Sequence, residues 1–259
     1  MPQNGINNEY EFIRFLNMRK ISTLNTVFKM FLTELFGDLN DNDTIYCWKN
    51  YLPQKTDIFI KIANTTKRIS LKMGTRNSVH VDPISKFVSF LKENGVQGKT
   101  IHEYLKYHYA DGTTNGRGST RQSVKEYKKH HQLEIDRINQ ELNREEIVLS
   151  AVNRFIIYGN NCTEPIDALV HGTTTSFVWI SKEDLIHILR GKSKHFYSTG
   201  IHFSKLHCQP FARCLNKNPK YEKNRYCIQI KWFSMYDEII ENMYEKTRQT
   251  LKEKGITAE

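Results

Sequence analysis

Cysteine is scarce in this chain: five residues in 259, with no CxxC pair. An odd and sparse set argues against a disulfide scaffold and against a zinc ribbon. One local group, His202, His207, Cys208 and Cys214, has ligand types at short spacing. The alternation in "IHFSKLHCQPF" accounts for His202 equally well as a strand residue. There is no run of about 18 apolar residues and no basic-then-apolar leader, so a cytoplasmic protein with reduced thiols is the expectation. "GKSK" at 191–194 lacks the glycine-rich loop of a phosphate-binding P-loop, and no internal repeat is present.

What remains is an ordinary globular composition, 39% hydrophobic and 25% charged, with 13 Tyr and 14 Phe. The length suits one large domain or two small ones. The net charge of +10 is the marked feature. It favours an acidic partner, whether nucleic acid, an anionic membrane or an acidic protein, although a basic protein without such a partner has the same charge.

The periodicity at Leu24, Val27, Phe28, Phe31, Leu32 and Leu35 predicts a helix over 23–36, ended at Gly37. An earlier helix is predicted in "EYEFIRFLNMRK". "TIYCW", 57–62 and 68–72 read as strands, the last two joined through "ANTTK". Val79–Val81 is too short to assign. Asp82 then reads as a helix cap, with Pro83 in the first turn and Ile84, Phe87, Val88 and Leu91 on one face. "ADGTTNGRGST" at 110–120 is a polar glycine-rich loop, either a lobe boundary or a segment that orders on a partner. A polar helix to about 143, a more apolar one over 146–157, paired strands in "IDALVHG" and "TTSFVWI", and a helix capped by Ser181 and Asp184 follow. Strands at 201–206 and 225–231 and a charged helix from Met235 to about Lys254 complete the chain. The expected organisation is 1–109 carrying the site, 110–120 as a loop, and 121–259 as a helical segment with basic C-terminal strands, in one integrated domain.

The chemistry concentrates in "KTDIFIKIANTTKRISLKMG". Strand residues alternate faces, so Asp57, Phe59 and Lys61 share one face of their strand, and Arg68, Ser70 and Lys72 share one face of theirs. If the two strands pair through their short loop, Asp57 meets Ser70 and Lys72 at the open end. The carboxylate can hold Mg2+, which takes oxygen ligands. The metal can polarise a phosphate and acidify its water, and the lysine can orient that water or stabilise developing charge. Solvated residues at strand ends are the alternative reading.

"TD…ISLK" resembles the motif of the PD-(D/E)xK nuclease superfamily, particularly its type II restriction endonucleases. The order helix, strand, Asp-strand, xxK-strand, helix over 23–93 matches, and "GIHFSKLHCQPFARCLNKNPKYEKNRYCIQIKW" is more loosely similar to C-terminal segments of such enzymes. The resemblance implies an α/β restriction-endonuclease-like core with a mixed central β-sheet flanked by helices. It implies Mg2+-dependent cleavage of double-stranded DNA, with Mn2+ able to substitute, and a homodimer acting on a symmetric site. Two residues depart from the pattern: Thr56 stands for the proline and Ser70 for the second acid. One branch of restriction enzymes has an SxK pattern and takes the acid from the next helix. Asp82 is the candidate for that metal ligand beside Asp57, with a helix cap as its rival role and Glu93 as the fallback acid. His80 reads as a phosphate or water contact or as a surface residue. Glu11, then Glu9 or Glu34, is the candidate N-terminal acid.

Residues 201–231 hold seven basic residues against one acid, Glu222, interleaved with aromatics. Lys205, Arg213, Lys217, Asn218, Lys220, Lys223 and Arg225 are the candidate DNA contacts there, with Arg76, Asn77 and Arg117 nearer the motif. A solvated hairpin is the alternative. Two other functions stay open at this point: a catalytically silent DNA-binding protein on the same scaffold, and a nuclease for repair, transposition or RNA processing.

Overall fold

Alternating isoleucines in "IFIKI" and the stretch "TTKRISLK" pair as an antiparallel hairpin, the local unit on which the first sheet is built. The structure is a computed structural model that describes residues 3–74, 77–118, 121–160, 162–191, 200–211 and 219–253. Its strands are β1 (Ile45–Lys49), β2 (Ile58–Ile62), β3 (Thr65–Lys72), β4 (Ser78–Pro83), β5 (Ala168–Thr173), β6 (Ser176–Ser181), β7 (His202–Phe203), β8 (Leu206–Pro210) and β9 (Cys227–Lys231). Its helices are α1 (Gln3–Leu16), α2 (Thr26–Phe36), α3 (Ile84–Glu93), α4 (Gly98–Tyr109), α5 (Val124–Leu142), α6 (Glu145–Val152), α7 (Lys182–Arg190) and α8 (Met235–Glu253). Two compact units result, one of residues 1–76, 157–188 and 234–259, the other of 77–156 and 189–233. No described helix is long and apolar enough to cross a membrane.

The first unit carries a five-stranded sheet in the order β1-β2-β3-β5-β6. β3 and β5 run parallel, and the other neighbours are antiparallel, so the sheet is mixed. Ile45, Cys47, Ile58, Ile60, Ile69, Leu71, Ala168, Val170, Phe177 and Trp179 form one apolar face, which Phe12 and Leu16 of α1 and Phe28, Phe31 and Leu32 of α2 cover. Each such aliphatic or aromatic side chain contributes roughly 1.5–3 kcal/mol on burial. Phe177 is the hub, 4.6 Å from Phe28 and 5.7 Å from Phe31 between ring centroids. Asn25 caps α2 by accepting from the Phe28 amide, and Gly37 ends it at φ 80°, where an L side chain would be strained. The Ser181 hydroxyl accepts from the Asp184 amide and donates to its carboxylate, the expected cap of α7.

The second unit carries the antiparallel sheet β4-β9-β8-β7. Phe87, Phe90, Tyr104, Phe155 and Phe203 pack as an aromatic core; Phe90 and Phe155 lie edge to face at 4.9 Å. Asn139 and Asn143, one turn apart on α5, clamp β7 through bonds to Gly200 O, His202 N and O, and Ser204 N. The glycine-rich loop folds around Asp111, whose carboxylate accepts from Thr113 N and Oγ1 and from Gly118 N. Burial alone would raise the Asp111 pKa; these hydrogen bonds and nearby Arg121 hold it below the usual range.

Two expectations are corrected, and one segment that the sequence leaves unassigned is placed. Asp82 is not a helix cap, because β4 continues through Pro83, which is itself the N-cap of α3. Pro83 keeps extended backbone (φ −57°, ψ 139°), so the same "DP" pair that suits a helix start here ends a strand. The predicted helix over 146–157 is α6 followed by a π-helical turn over Asn153–Tyr158. The short Val79–Val81 segment is the middle of β4, paired with β9.

The metal reading of the His/Cys group gains no support. Cys208 is fully buried and burial pushes its thiol well above the usual range, away from the thiolate a metal needs. Cys214 lies outside the described residues, and no group of three or more metal-ligating side chains exists among the described ones. His202 and His207 instead pair across β7 and β8, with ring centroids 5.7 Å apart.

Burial pushes His207 down to about 4 from 6.5, and His202 adds to the effect. The unfolded chain protonates this ring near pH 6.5, whereas the folded chain resists until about pH 4. Its contribution is therefore full above pH 6.5 and is lost as pH falls through that window, by about 3 kcal/mol at most. Urea denaturation of wild type and His207→Gln between pH 7 and pH 4 checks this. The variant is expected to show a flatter fall in stability, and identical slopes would assign the acid sensitivity to other groups.

Candidate functional site

The β1–β2 connection sets the position of Asp57. Asn50 N donates to Asp57 O at 3.0 Å, and Asn50 Nδ2 donates to Thr56 O at 3.0 Å. Asp57 N donates to Ile69 O at 2.9 Å, extending the β2–β3 ladder one residue past β2. Asp57 therefore lies opposite Ser70, on the face turned away from the apolar core.

Four groups converge there. Asp57 Oδ2 accepts from Leu71 N at 2.6 Å and from Ser70 Oγ at 3.1 Å. Lys72 Nζ donates to Ser70 Oγ at 2.9 Å and to Leu71 O at 3.0 Å, and stands 3.4 Å from Asp57 Oδ2. The Asp57 and Lys72 side chains keep 23% and 24% of their surface exposed, enough to meet a ligand, while Ser70 is buried. A carboxylate oxygen, a hydroxyl and a main-chain carbonyl thus surround one ammonium group. All three are hard oxygen donors, and they already hold a cation.

Sequence reasoning missed two members of this neighbourhood. The Leu71 main chain supplies both an amide to Asp57 and a carbonyl to Lys72, which no side-chain motif reveals. His171 pairs in parallel register with Lys72 and shares its face. Its Nε2 lies 3.1 Å from Gly74 O, an acceptor, and its Nδ1 is buried without a hydrogen bond. Only the pairing of β3 with β5 brings it there, and that pairing is non-local.

The proposed acids are placed elsewhere. Glu11 is exposed on α1. Glu9 pairs with Lys49 at 2.8 Å. Glu34 accepts from Trp179 Nε1 at 2.8 Å and Lys246 Nζ at 2.7 Å. No hydrogen bond or ion pair joins any of them to Asp57, Ser70 or Lys72 among the described residues. The physical reason is the face: α1 and α2 cover the apolar side of the sheet, and the Asp57 group projects from the other.

Asp82 belongs to the second unit. It is wholly buried, 3.0 Å from Arg154 Nη2 and 3.5 Å from His80 Nε2. His80 is no surface residue; its ring packs 5.2 Å from Phe155 and its side chain is 8% exposed. Glu93, the fallback acid, is exposed at the end of α3.

Of the expected DNA contacts, Arg117 and Lys223 are exposed, as is Lys220 beside the Tyr221 ring. Lys205 is partly exposed. Asn77 spends its side-chain amide on Phe233 O. Arg225 is drawn inward to Glu222, Asp111 and Gly118 O, so it braces the Asp111 loop rather than facing outward. Arg76, Arg213, Lys217 and Asn218 lie outside the described residues.

No family model matches the chain, and no curated protein matches it either. Among solved structures, the restriction endonuclease MspI in complex with its cognate DNA is similar, with TM-score 0.54 and 14% identity over 89% of this chain and 92% of that one. At that identity the likeness establishes the fold: a mixed central sheet flanked by helices, of restriction-endonuclease type.

The Asp82–Arg154 pair gives a test of the second unit. Arg154→Met removes the guanidinium from a buried carboxylate and is expected to cost about 3–5 kcal/mol. Arg154→Met combined with Asp82→Asn is expected to recover most of that loss. Urea denaturation of the two variants decides it: equal destabilisation by both would mean that Asp82 is held chiefly by other partners.

Proposed function

We propose that the chain is a Mg2+-dependent endonuclease of the type II restriction class that hydrolyses phosphodiester bonds of duplex DNA. The observation that carries this is the convergence of Asp57, Ser70, the Leu71 main chain and Lys72 at the open end of the hairpin, on a restriction-endonuclease-like fold.

The oxygens fit the metal. Mg2+ is commonly bound by one or two carboxylates together with substrate phosphate and water, and Asp57 with the Leu71 carbonyl supplies the protein's part of such a set. When bound, the metal would polarise the scissile phosphate and acidify a water. Asp57 would hold the cation, its orientation fixed by the short bond from Leu71 N. Ser70 braces the lysine: its hydroxyl donates to Asp57 and accepts from Lys72. Lys72 stabilises charge building on the phosphate oxygens and orients the attacking water. Its ammonium occupies the oxygens a dication would use, so a bound dication would compete with Lys72 for Asp57 and would leave the ammonium available to the phosphate. Asp82 is assigned to the Arg154 ion pair rather than to the metal.

One carboxylate against one ammonium makes the site neutral. The substrate phosphate must therefore supply much of the charge that holds the metal. Ser70→Asp adds a second carboxylate and is expected to lower the Mg2+ concentration for half-maximal activity severalfold; an unchanged or raised requirement would argue against a metal at this position.

The second reading, a silent DNA-binding protein, is favoured by Ser70 in place of the motif's second acid and by the lack, among the described residues, of any group of three or more His, Cys, Asp or Glu side chains that could hold a metal. Incubating a long unmodified duplex with Mg2+ or Mn2+ separates the two, with Lys72→Ala purified identically as control. Discrete fragments from wild type, and a loss of about a hundredfold or more in the variant, are expected. Tight binding without cleavage by either metal would replace the nuclease with the silent reading.

A further inference from the structure

Beside Asp57 the chain exposes large apolar side chains on a pinned support. Tyr51 is 80% and Leu52 62% exposed at the tip of the β1–β2 loop, and Tyr46 and Trp48 are exposed on β1 itself. Single exposed hydrophobics are common. Four within seven residues, on an edge strand and the loop it feeds, form a patch.

The patch is braced. Trp48 stacks on Phe59 with ring centroids 5.4 Å apart and planes 21° off parallel. Asn50 acts as a staple: Nδ2 donates to Thr56 O and Gln54 Oε1, and Oδ1 accepts from Leu52 N. A further main-chain bond runs from Gln54 N to Leu52 O. The Asn50 main-chain N–H donates to Asp57 O. The loop that presents Tyr51 and Leu52 is therefore tied by one residue to the candidate catalytic aspartate.

The charge of this stretch fits an anion. Residues 46–62 carry Lys49, Lys55 and Lys61 against Asp57 alone, and Lys49 is already held by Glu9 at 2.8 Å. Lys61 stands in register with Tyr46 on the face that carries Asp57. Aromatic surface interleaved with lysine offers bases a stacking partner and phosphates a counter-charge.

We infer that Tyr51 and Leu52 form an apolar wedge that packs into a base step of duplex DNA beside the phosphate presented to Asp57, with Tyr46 and Trp48 as the flanking stacking surface. The inference rests on duplex DNA being the ligand. Insertion of apolar side chains partly unstacks a step and kinks the duplex, which would open the backbone next to the site. The wedge adds no phosphate contact, so it predicts a specific signature: lost affinity without lost salt dependence.

The test uses full-length protein and a fluorescein-labelled 30-base-pair duplex of mixed sequence, with Ca2+ in place of Mg2+. A parallel set of duplexes carries 2-aminopurine at successive positions. Wild type is expected to bind and to raise 2-aminopurine emission at one or two positions. Tyr51→Ala/Leu52→Ala is expected to weaken binding about tenfold or more, abolish the emission rise and leave the salt slope unchanged. Tyr51→Phe is expected to behave as wild type. Equal binding and equal emission in the double variant would overturn the wedge while leaving the DNA reading standing. A lower salt slope would make the loop a phosphate contact instead. A shift from dimer to monomer in sedimentation velocity, with binding lost in parallel, would make the patch a self-association surface. Wild type that binds no duplex at all would remove both the wedge and the functional reading it rests on.

Discussion

The register of the β2–β3 hairpin is the constraint on which the rest of the candidate site depends. Ile62 pairs with Thr65 across a two-residue turn, Ala63–Asn64, with Ala63 at φ 50°. From that turn the ladder runs without a break to Ile58 opposite Ile69, and one bond further to Asp57 opposite Ser70. A slip of one residue would turn Ser70 and Lys72 into the core and expose Ile69 and Leu71. The apolar cluster forbids that slip, because Ile69 and Leu71 are packed among the side chains of α1, α2 and β6. Core packing and site geometry are thus one fact seen from two faces of the sheet.

The sheet's other decisive feature is non-local. The chain leaves the first unit after residue 76, builds most of the second, and returns to lay β5 parallel to β3. Asp167 marks the return: its carboxylate accepts from Arg68 N at 2.7 Å, and its amide donates to Arg68 O. That reciprocal pair fixes the parallel register in which His171 stands beside Lys72. Parallel neighbours need a long crossover, and here the crossover contains residues 77–156, the larger part of the second unit. Elsewhere in the same unit, Lys246 of α8 joins Glu34 of α2 and Asp184 of α7, a tie among three helices.

What could be read from the sequence follows this division between local and distant. Asp57, Ser70 and Lys72 were recoverable because alternation and one short turn decide their faces. Most helices and strands were recoverable for the same reason. Asp82 was misread because "VDPISKF" satisfies two local grammars, a capped helix start and a strand that ends at proline; β9, from 145 residues onward in the chain, chose the second. Glu34 was correctly seen between apolar neighbours on one helix, yet its partners Trp179 and Lys246 lie 145 and 212 residues away. Glu9 and Glu11 illustrate the same limit, since helix periodicity says which residues share a face and nothing about which side of a sheet that face will cover.

The electrostatics of the hairpin end then limit what the site can do by itself. A carboxylate, a hydroxyl and a carbonyl close on the lysine's own ammonium, so the resting arrangement is internally satisfied. A second carboxylate at position 70 would leave a net negative pocket able to attract a dication unaided; serine does not. The cost of displacing Lys72 from Asp57 must be met by a ligand that brings negative charge and a new partner for the ammonium together. A phosphodiester does both. On the proposed nuclease reading, Ser70 would couple metal affinity to substrate affinity, because each would supply the counter-charge that the other needs. On the same reading, a serine in the motif would delay metal entry until nucleic acid is present, and the partly buried, hydrogen-bonded Asp57 would keep the oxygens in place meanwhile.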